Sequence, residues 1–126
     1  MKSMKGFTLV ELVIVIVIVG ILSVVAVPVY KGYTKKAMAT EGKALLGAIN
    51  TSQKVYFAEW ANFIADGQKA VLDVDASTNK YFTTFTLNST ATAFTASTPG
   101  ANGAAGITLS LTSSSTGQST ITEIGL

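Results

Sequence analysis

The chain has 126 residues, enough for one domain, and its nine lysines and seven acidic residues leave a formal charge of only +2. These charges are few and scattered, so they do not form the basic patch or stripe that indicates a nucleic-acid-binding protein. The chain has neither cysteine nor histidine, which excludes disulfides, metal sites built on these ligands, and catalysis by Ser-His or Cys-His pairs. No cofactor and no specific nucleic-acid site are therefore expected, and few enzyme mechanisms remain.

The dominant feature is an apolar segment at residues 7–30, in which Glu11 is the single charged residue. Residues 13–19 are all β-branched, a composition that locally favours a strand. The segment is, however, about three times as long as an ordinary strand, and a lone strand in lipid would leave its backbone polar groups unpaired. As a helix, its 24 residues would span about 36 Å, enough to cross a bilayer core of about 30 Å. The sequence therefore predicts a transmembrane helix.

Lysines flank this segment on both sides, with Lys2 and Lys5 before it and Lys31, Lys35 and Lys36 after it. The tendency of positive charge to stay on the cytoplasmic side does not by itself fix the orientation, because both flanks are basic. We expect the short N-terminal tail to remain in the cytoplasm and the larger C-terminal part to be exported.

After residue 30 the pattern becomes that of an amphipathic helix, which is expected to continue to about Trp60. Pro28 lacks an N–H and crowds the preceding turn, so a kink or local loosening is expected near residues 20–28. The stripe predicted to pack against the rest of the domain recurs every three or four residues: Met38, Glu41, Leu45, Ile49, Ser52 and Tyr56, widened by Ala44, Ala48 and Val55.

Beyond the helix the pattern predicts a loop at residues 61–79 and a sheet within residues 80–126. Apolar residues at 107, 109 and 111 alternate with Thr108 and Ser110, as expected of an antiparallel sheet that is covered on one face. The amphipathic half of the helix supplies that cover, so the predicted fold class is α+β. Turn-rich segments separate four predicted strands: Tyr81–Leu87, Thr92–Ala96, Ile107–Thr112 and Thr120–Ile124.

Residues 6–12, Gly-Phe-Thr-Leu-Val-Glu-Leu, form the most specific motif in the chain. A short basic leader precedes them, and the apolar run that follows contains Gly20 and Pro28. Together these features resemble the class III signal of type IV pilins and of the related pseudopilins of type II secretion. The resemblance covers residues 1–36 and is architectural beyond them.

The resemblance implies a processing path for the precursor. A membrane aspartyl prepilin peptidase would remove the leader, residues 1–6, by cutting between Gly6 and Phe7 on the cytoplasmic side. The same enzyme would methylate the new amine of Phe7, with S-adenosylmethionine as the methyl donor. A small residue at Gly6 suits a chain that enters a tight protease cleft, whereas the plainer alternative is that Gly6 merely starts the helix.

Glu11 is the most specific single candidate for a functional residue. A carboxylate inside a membrane helix raises the free energy of insertion by about 2.5–3.5 kcal/mol and therefore calls for a partner. No lysine or arginine lies three or four residues after it. Cleavage would create a cation at the Phe7 amine, and on a neighbouring subunit shifted along a filament that amine could meet Glu11. We interpret Glu11 as a docking group that sets the register between subunits; the alternative is a glutamate that reaches up to lipid headgroups.

Gly20 and Pro28 bracket the expected weak point of the helix. In the family that the motif resembles, this stretch can lose helicity inside the assembled filament, which allows extension. The alternative is an ordinary packing glycine and an ordinary proline kink.

Asp73 and Asp75 are weak metal candidates, because residues 73–79 alternate oxygen ligands as a calcium loop does. The segment lacks the glycine and the final glutamate of an EF-hand. A solvated loop is the favoured interpretation, and no metal site is predicted.

Three functions fit these features to different degrees. The first is a non-enzymatic structural subunit of a type IV pilus, anchored in a bacterial inner membrane as a precursor and then assembled into a helical filament on the cell surface. The resemblance implies as partners further copies of the chain, the peptidase and methyltransferase, an assembly platform and a cytoplasmic ATPase. The second is a type II secretion pseudopilin. The third, a secreted binding domain with a signal cut before Val27, leaves Glu11 unexplained and needs an unusually long apolar core.

Overall fold

The computed structural model describes residues 6–126, so the predicted leader, residues 1–6, lies outside the described residues except for Gly6. The chain divides into two compact units, residues 1–34 and residues 35–126. Helix α1, Leu9–Trp60, contributes to both units. The long N-terminal helix predicted from the sequence is therefore confirmed, although it begins two residues later than expected.

In the first unit, α1 is unbroken through the β-branched run and through Gly20 and Pro28. The Ser23 hydroxyl donates to the Val19 carbonyl at 2.7 Å, so the helix itself satisfies this polar group. Pro28 removes one backbone donor, but the helical bonds on either side carry the chain past it. The expected loosening is thus not seen in the single chain, and a weak point inside a filament stays a prediction.

The second unit contains a four-stranded antiparallel meander in the spatial order β1-β2-β3-β4. Neighbouring strands pair in register, for example Leu87 opposite Ala96 and Leu111 opposite Ile121. The predicted number of strands and their antiparallel arrangement are confirmed. The strand bounds are β1 Thr86–Ser89, β2 Ala93–Pro99, β3 Thr108–Ser114 and β4 Ser119–Ile124.

The two faces of the sheet differ in chemistry. Alternate residues of β2 and β3 are buried, including Phe94, Leu109 and Leu111. On the opposite face the Ser97 and Ser110 hydroxyls lie 2.9 Å apart. That face also carries Thr86 and Thr122 in the same row and Thr95, Thr112 and Thr120 in the next. The sheet is therefore apolar on its core face and hydroxyl-rich on its outer face, as predicted.

Leu45 and Ile49 of the predicted stripe are buried and its other four members are half-buried, so the centre of that stripe is confirmed. Its predicted margin is wrong. Ala44, Ala48 and Val55 were expected to widen the packed face, but all three are exposed. An added Cβ at Gly42 would lie only 2.6 Å from Leu109 and 2.9 Å from Phe82, so the absence of a side chain there lets the sheet approach. The packed face is therefore widened on its other side, by Ala39, Gly42, Leu46 and Gln53, which are buried beside Leu45 and Ile49.

The predicted first strand, Tyr81–Leu87, is wrong at its start, because residues 81–85 are irregular and β1 begins at Thr86. The reason is a competing acceptor. Glu41 takes hydrogen bonds from the backbone N–H groups of residues 80, 81 and 82, at 3.2, 2.6 and 2.9 Å. The N–H groups of residues 80–82 are therefore not available for hydrogen bonds to a neighbouring strand. The Glu41 carboxylate on α1 holds this segment instead.

The predicted loop at 61–79 contains a 3₁₀ helix, Asp66–Leu72. The buried side chain of Gln53 fixes the chain just before it. Its amide donates to the Ile64 carbonyl and accepts from the Ile64 N–H, both at 2.8 Å. The predicted turn at 97–106 likewise begins later than expected, because β2 continues to Pro99 and a short 3₁₀ helix follows at Asn102–Ala104.

Candidate functional site

The motif at the start of α1 forms a reciprocal cap. Thr8 donates to Glu11 Oε2 through its backbone N–H at 2.9 Å and through its hydroxyl at 2.7 Å. The Glu11 N–H in turn donates to the Thr8 hydroxyl at 3.3 Å. This is the capping box, in which two otherwise unpaired donors at a helix start are satisfied by a pair of side chains three residues apart. Glu11 therefore already has partners within its own chain.

The predicted cleavage point lies just before this cap. Gly6, Phe7 and Thr8 precede the helix, and all three are exposed. Phe7 is 90% exposed, so in the described residues its ring packs against nothing. The peptide bond between Gly6 and Phe7 is thus held by no helical hydrogen bonds and is sterically open.

The helix beyond the cap is apolar on every side. From Leu9 to Tyr33 every side chain is exposed, including those of nine valines. Within residues 6–126, α1 is the one helix long and apolar enough to cross a membrane. A helix that is hydrophobic all round needs an apolar environment on all sides, so this exposed surface calls for an apolar solvent or apolar partners.

The other predicted site residues lie apart from the cap. Gly20 and Pro28 follow Glu11 along α1 by nine and seventeen residues. Asp73 and Asp75 lie in the second unit, after the 3₁₀ helix, and Asp73 has a left-handed backbone conformation with a φ of 52°. The structure therefore groups only the residues at the start of the helix into a common site.

Asp75 acts within its own loop. Its Oδ1 accepts the Ser77 N–H at 2.8 Å, and hydrogen bonds from the Ser77 side chain and backbone lower the pKa of Asp75. No group of three or more acidic, histidine or cysteine residues lies close enough to hold a metal anywhere in the described residues 6–126. The carboxylate of Asp75 thus has a structural explanation in the local turn.

The comparisons with known proteins agree with the motif and with the architecture. Residues 1–27 match the family model for the prokaryotic N-terminal methylation motif. The fimbrial protein EcpC of Eikenella corrodens is 35% identical over 113 residues, which cover 85% of this chain and 72% of that protein. The chain belongs to the type IV pilin family. The type IV major alpha-pilin of Moraxella bovis is 39% identical over 80 residues, 64% of this pilin and 46% of the relative.

A fimbrial protein of Moraxella nonliquefaciens is 42% identical over 82 residues, 64% of this pilin and 53% of the relative. The pilin thus spans about half the length of several of the curated relatives that it matches. No solved structure matches it. The resemblance read from residues 6–12 and from the apolar run is confirmed at the level of the family.

The capping role of Thr8 was missed in the sequence analysis, although its signal is present. A threonine followed three residues later by glutamate, immediately before an apolar run, is the sequence signature of a capping box. Glu11 was interpreted only through its cost in a membrane. The structure adds that the same carboxylate closes the first turn of α1.

Proposed function

We propose that this pilin is a structural subunit of a type IV pilus and that it has no enzymatic activity of its own. The observation that carries the proposal is the stretch of α1 from Leu9 to Tyr30, whose apolar side chains are exposed on all sides. Lipid can cover such a surface first, and identical helices of other subunits can cover it later. The names of the relatives, fimbrial proteins and major pilins, favour a pilus over a secretion pseudopilin.

The precursor is processed at the exposed Gly6–Phe7 bond. A prepilin peptidase needs an extended substrate, and these residues lie outside the helix and are accessible. Cleavage leaves Phe7 as the first residue, and its methylated amine remains a cation. The cap then lies at the second and fifth residues of the mature chain, so the helix keeps its ordered first turn after cleavage.

Glu11 has two roles in this proposal. Its Oε2 atom accepts both hydrogen bonds from Thr8, while within residues 6–126 its Oε1 atom accepts none. The capping box therefore holds the carboxylate in place and leaves one oxygen for the Phe7 amine of a neighbouring subunit. Two unit charges about 4 Å apart attract by about 4 kcal/mol at an effective dielectric constant of 20, before desolvation costs are subtracted. That attraction favours one register between adjacent helices.

The precursor is held in the bacterial inner membrane by α1 and ends in a filament at the cell surface. Its partners are other copies of the chain, the peptidase and methyltransferase, an assembly platform and an ATPase that supplies work. Work is needed because a helix of about 20 apolar residues leaves lipid only against a large transfer free energy.

The proposal is tested by the mass of the N-terminal peptide from filaments sheared off cells that express the chain. We expect filaments built from a chain that begins at methylated Phe7. A variant with Gly6→Val should remain as uncut precursor, whereas Gly6→Ala, which keeps a small residue, should still be cut. A soluble, unpolymerised chain beginning at Val27 would overturn the proposal and leave a secreted domain with an ordinary signal.

A further inference from the structure

The C-terminal end of α1 carries an exposed apolar groove with an acidic rim. Val55, Trp60 and Val71 line it and are 58%, 66% and 61% exposed. Tyr56 stacks against Trp60 with ring centroids 6.2 Å apart, which covers one face of the indole. Glu59 lies at the same groove, and within residues 6–126 it forms no salt bridge. We call these residues the terminal groove.

An exposed tryptophan beside exposed valines indicates an interaction surface. Tryptophan is enriched among residues that dominate binding energy, especially where it fills or lines a pocket. In this domain the neighbouring aromatics Phe57 and Phe63 stack at 4.5 Å, and Phe63 is buried. The core is therefore closed without Trp60, whose indole is left available to another molecule.

A surface of complementary character lies at the end of β4. Ile124 and Leu126 are 62% and 43% exposed. Lys35 reaches the same place, because its Nζ donates to the Gly125 carbonyl at 3.1 Å. This apolar surface, which we call the β4 end, thus carries a cation, whereas the terminal groove carries an anion.

We propose that the terminal groove of one subunit binds the β4 end of a second copy of this chain in the filament. Ile124 would pack against the Trp60 indole, and Lys35 would pair with Glu59. This inference rests on the proposed pilus function and names which surfaces of the exported domains meet.

The positions of the two surfaces fit a polymer better than a closed dimer. Lys35 and Glu59 are 24 residues apart on one helix, which corresponds to about 36 Å along its axis. In a filament whose helices run parallel, the groove of one copy can meet only the β4 end of another, and such a heterologous contact continues from copy to copy unless a rotation closes it into a ring. Repetition of the contact along the helix direction therefore extends a filament.

The size of the contact explains why it should form only during assembly. A few exposed side chains on each partner bury far less than the roughly 800 Å² per partner of a stable complex. An isolated pair is therefore weak. In a filament the helix packing already holds neighbouring copies together. The two surfaces therefore have a high effective concentration relative to each other, which allows a weak contact to form.

A charge-swap cycle tests the pairing in the full-length chain. We expect Glu59→Lys and Lys35→Glu each to lower the yield of sheared filaments about tenfold, because each places like charges together. The double variant should return to within about threefold of the parent chain, since it restores opposite charges. Thr112→Lys, on the exposed outer face of the sheet, is the control and should leave the yield unchanged.

Unfolding temperatures of the detergent-solubilised variants separate assembly from folding, and we expect them to match that of the parent chain. Failure of the double variant to recover, with normal unfolding temperatures, would overturn the pairing of Glu59 with Lys35. Single variants that assemble normally would overturn it as well.

Cross-linking gives a second, independent measurement, because the chain has no cysteine of its own. Filaments of the Glu59→Cys, Lys35→Cys double variant are treated with a short bismaleimide. We expect a ladder of multimers in denaturing gels, and none from either single variant or from Glu59→Cys combined with Thr112→Cys. Filaments without the ladder would refute this contact alone, whereas a parent chain that makes no filaments would refute the pilus proposal itself.

Discussion

Glu41 offers the sharpest test of how the exported domain is held together. Its two carboxylate oxygens accept three consecutive backbone N–H groups, from Lys80, Tyr81 and Phe82. Phe82 is fully buried, so this contact positions a core aromatic. Removal of the carboxylate leaves two partly buried donors, from Tyr81 and Phe82, and one exposed donor, from Lys80, which only water can then satisfy.

We expect Glu41→Ala to lower the free energy of unfolding by about 2–3 kcal/mol. A hydrogen bond to a charged group contributes about 1.5–3 kcal/mol, and the three bonds share one acceptor group, so their contributions do not simply add. Glu41→Gln keeps one carbonyl acceptor at nearly the same volume and should cost about 1 kcal/mol. Glu59→Gln, on an exposed side chain without a hydrogen bond among the described residues, should change stability by less than about 0.5 kcal/mol.

The same contact predicts a pH dependence. Partial burial raises the pKa of Glu41, but the hydrogen bonds from the backbone of residues 81, 82 and 80, together with the charge of Lys80, outweigh it and lower the pKa overall. A carboxyl with a lowered folded-state pKa contributes stability above its unfolded value of about 4.3 and loses it as the pH falls through the folded value. The domain should therefore lose stability below about pH 4.5.

The assay is urea unfolding of the detergent-solubilised chain at pH 7 and at successively lower pH, followed by far-ultraviolet circular dichroism. The acid loss should be smaller in Glu41→Gln than in the parent. The pKa of Asp75 is also lowered, so Asp75 contributes to the same loss of stability at low pH. The Asp75→Asn variant measures the part of that loss that is due to Asp75. A Glu41→Gln chain would refute the reasoning if its free energy of unfolding at pH 7, and the fall of that free energy at low pH, both equalled those of the parent chain.

The remaining predictions concern packing and the helix start. Gly42→Ala should have a free energy of unfolding in urea at least about 1 kcal/mol lower than that of Gly47→Ala. Both variants gain helix propensity, but only Gly42 is crowded by residues outside the helix. Equal stabilities of the two variants would contradict this packing. Gln53→Leu should cost about 2–3 kcal/mol, since it strands the backbone groups that the buried amide satisfies, and a parental urea midpoint would contradict it. Thr8→Ser should keep both the cap and the filament yield, while Glu11→Ala should remain in the membrane fraction yet assemble poorly; normal filament yield from Glu11→Ala would count against the docking role.

Periodicity and length were sufficient to predict the large elements. The run of β-branched residues at 13–19 favours a strand locally, yet the segment is helical, as its length and its apolar character predict. The alternation around Leu109 correctly predicted β3 and its buried face. These features depend on the pattern of neighbouring residues, which the sequence shows directly.

Features set by distant side chains were not predictable from such patterns. Tyr81 and its neighbours have the composition of a strand, but Glu41, some forty residues earlier, captures their N–H groups. The margin of the buried stripe was predicted on the wrong side of α1 because the decisive residue is Gly42, whose packing depends on Leu109 and Phe82 approaching it from across the fold. The cap at Thr8 is different, since its signal was local and was simply overlooked.

The attachment of β4 shows how a chain without cysteine holds its last strand. All six residues of β4 are exposed, so apolar burial contributes little there. The strand is instead held by its antiparallel pairing with β3 and by polar contacts with one side of α1, namely Lys43 with Glu123, Asn50 with Ser119, and Lys54 with Ser119 and Gly117.

Exposed contacts of this kind contribute at most about 1 kcal/mol each and weaken in salt, so β4 should be the least stable strand of the sheet. The helix segment from Lys35 to Trp60 therefore has three separate duties. It packs the core through Gly42, fastens β4 through its lysines, and offers Trp60 to another molecule. A contact between copies that covers the β4 end would stabilise the strand that the single chain holds most weakly, which links assembly of the filament to the stability of each subunit.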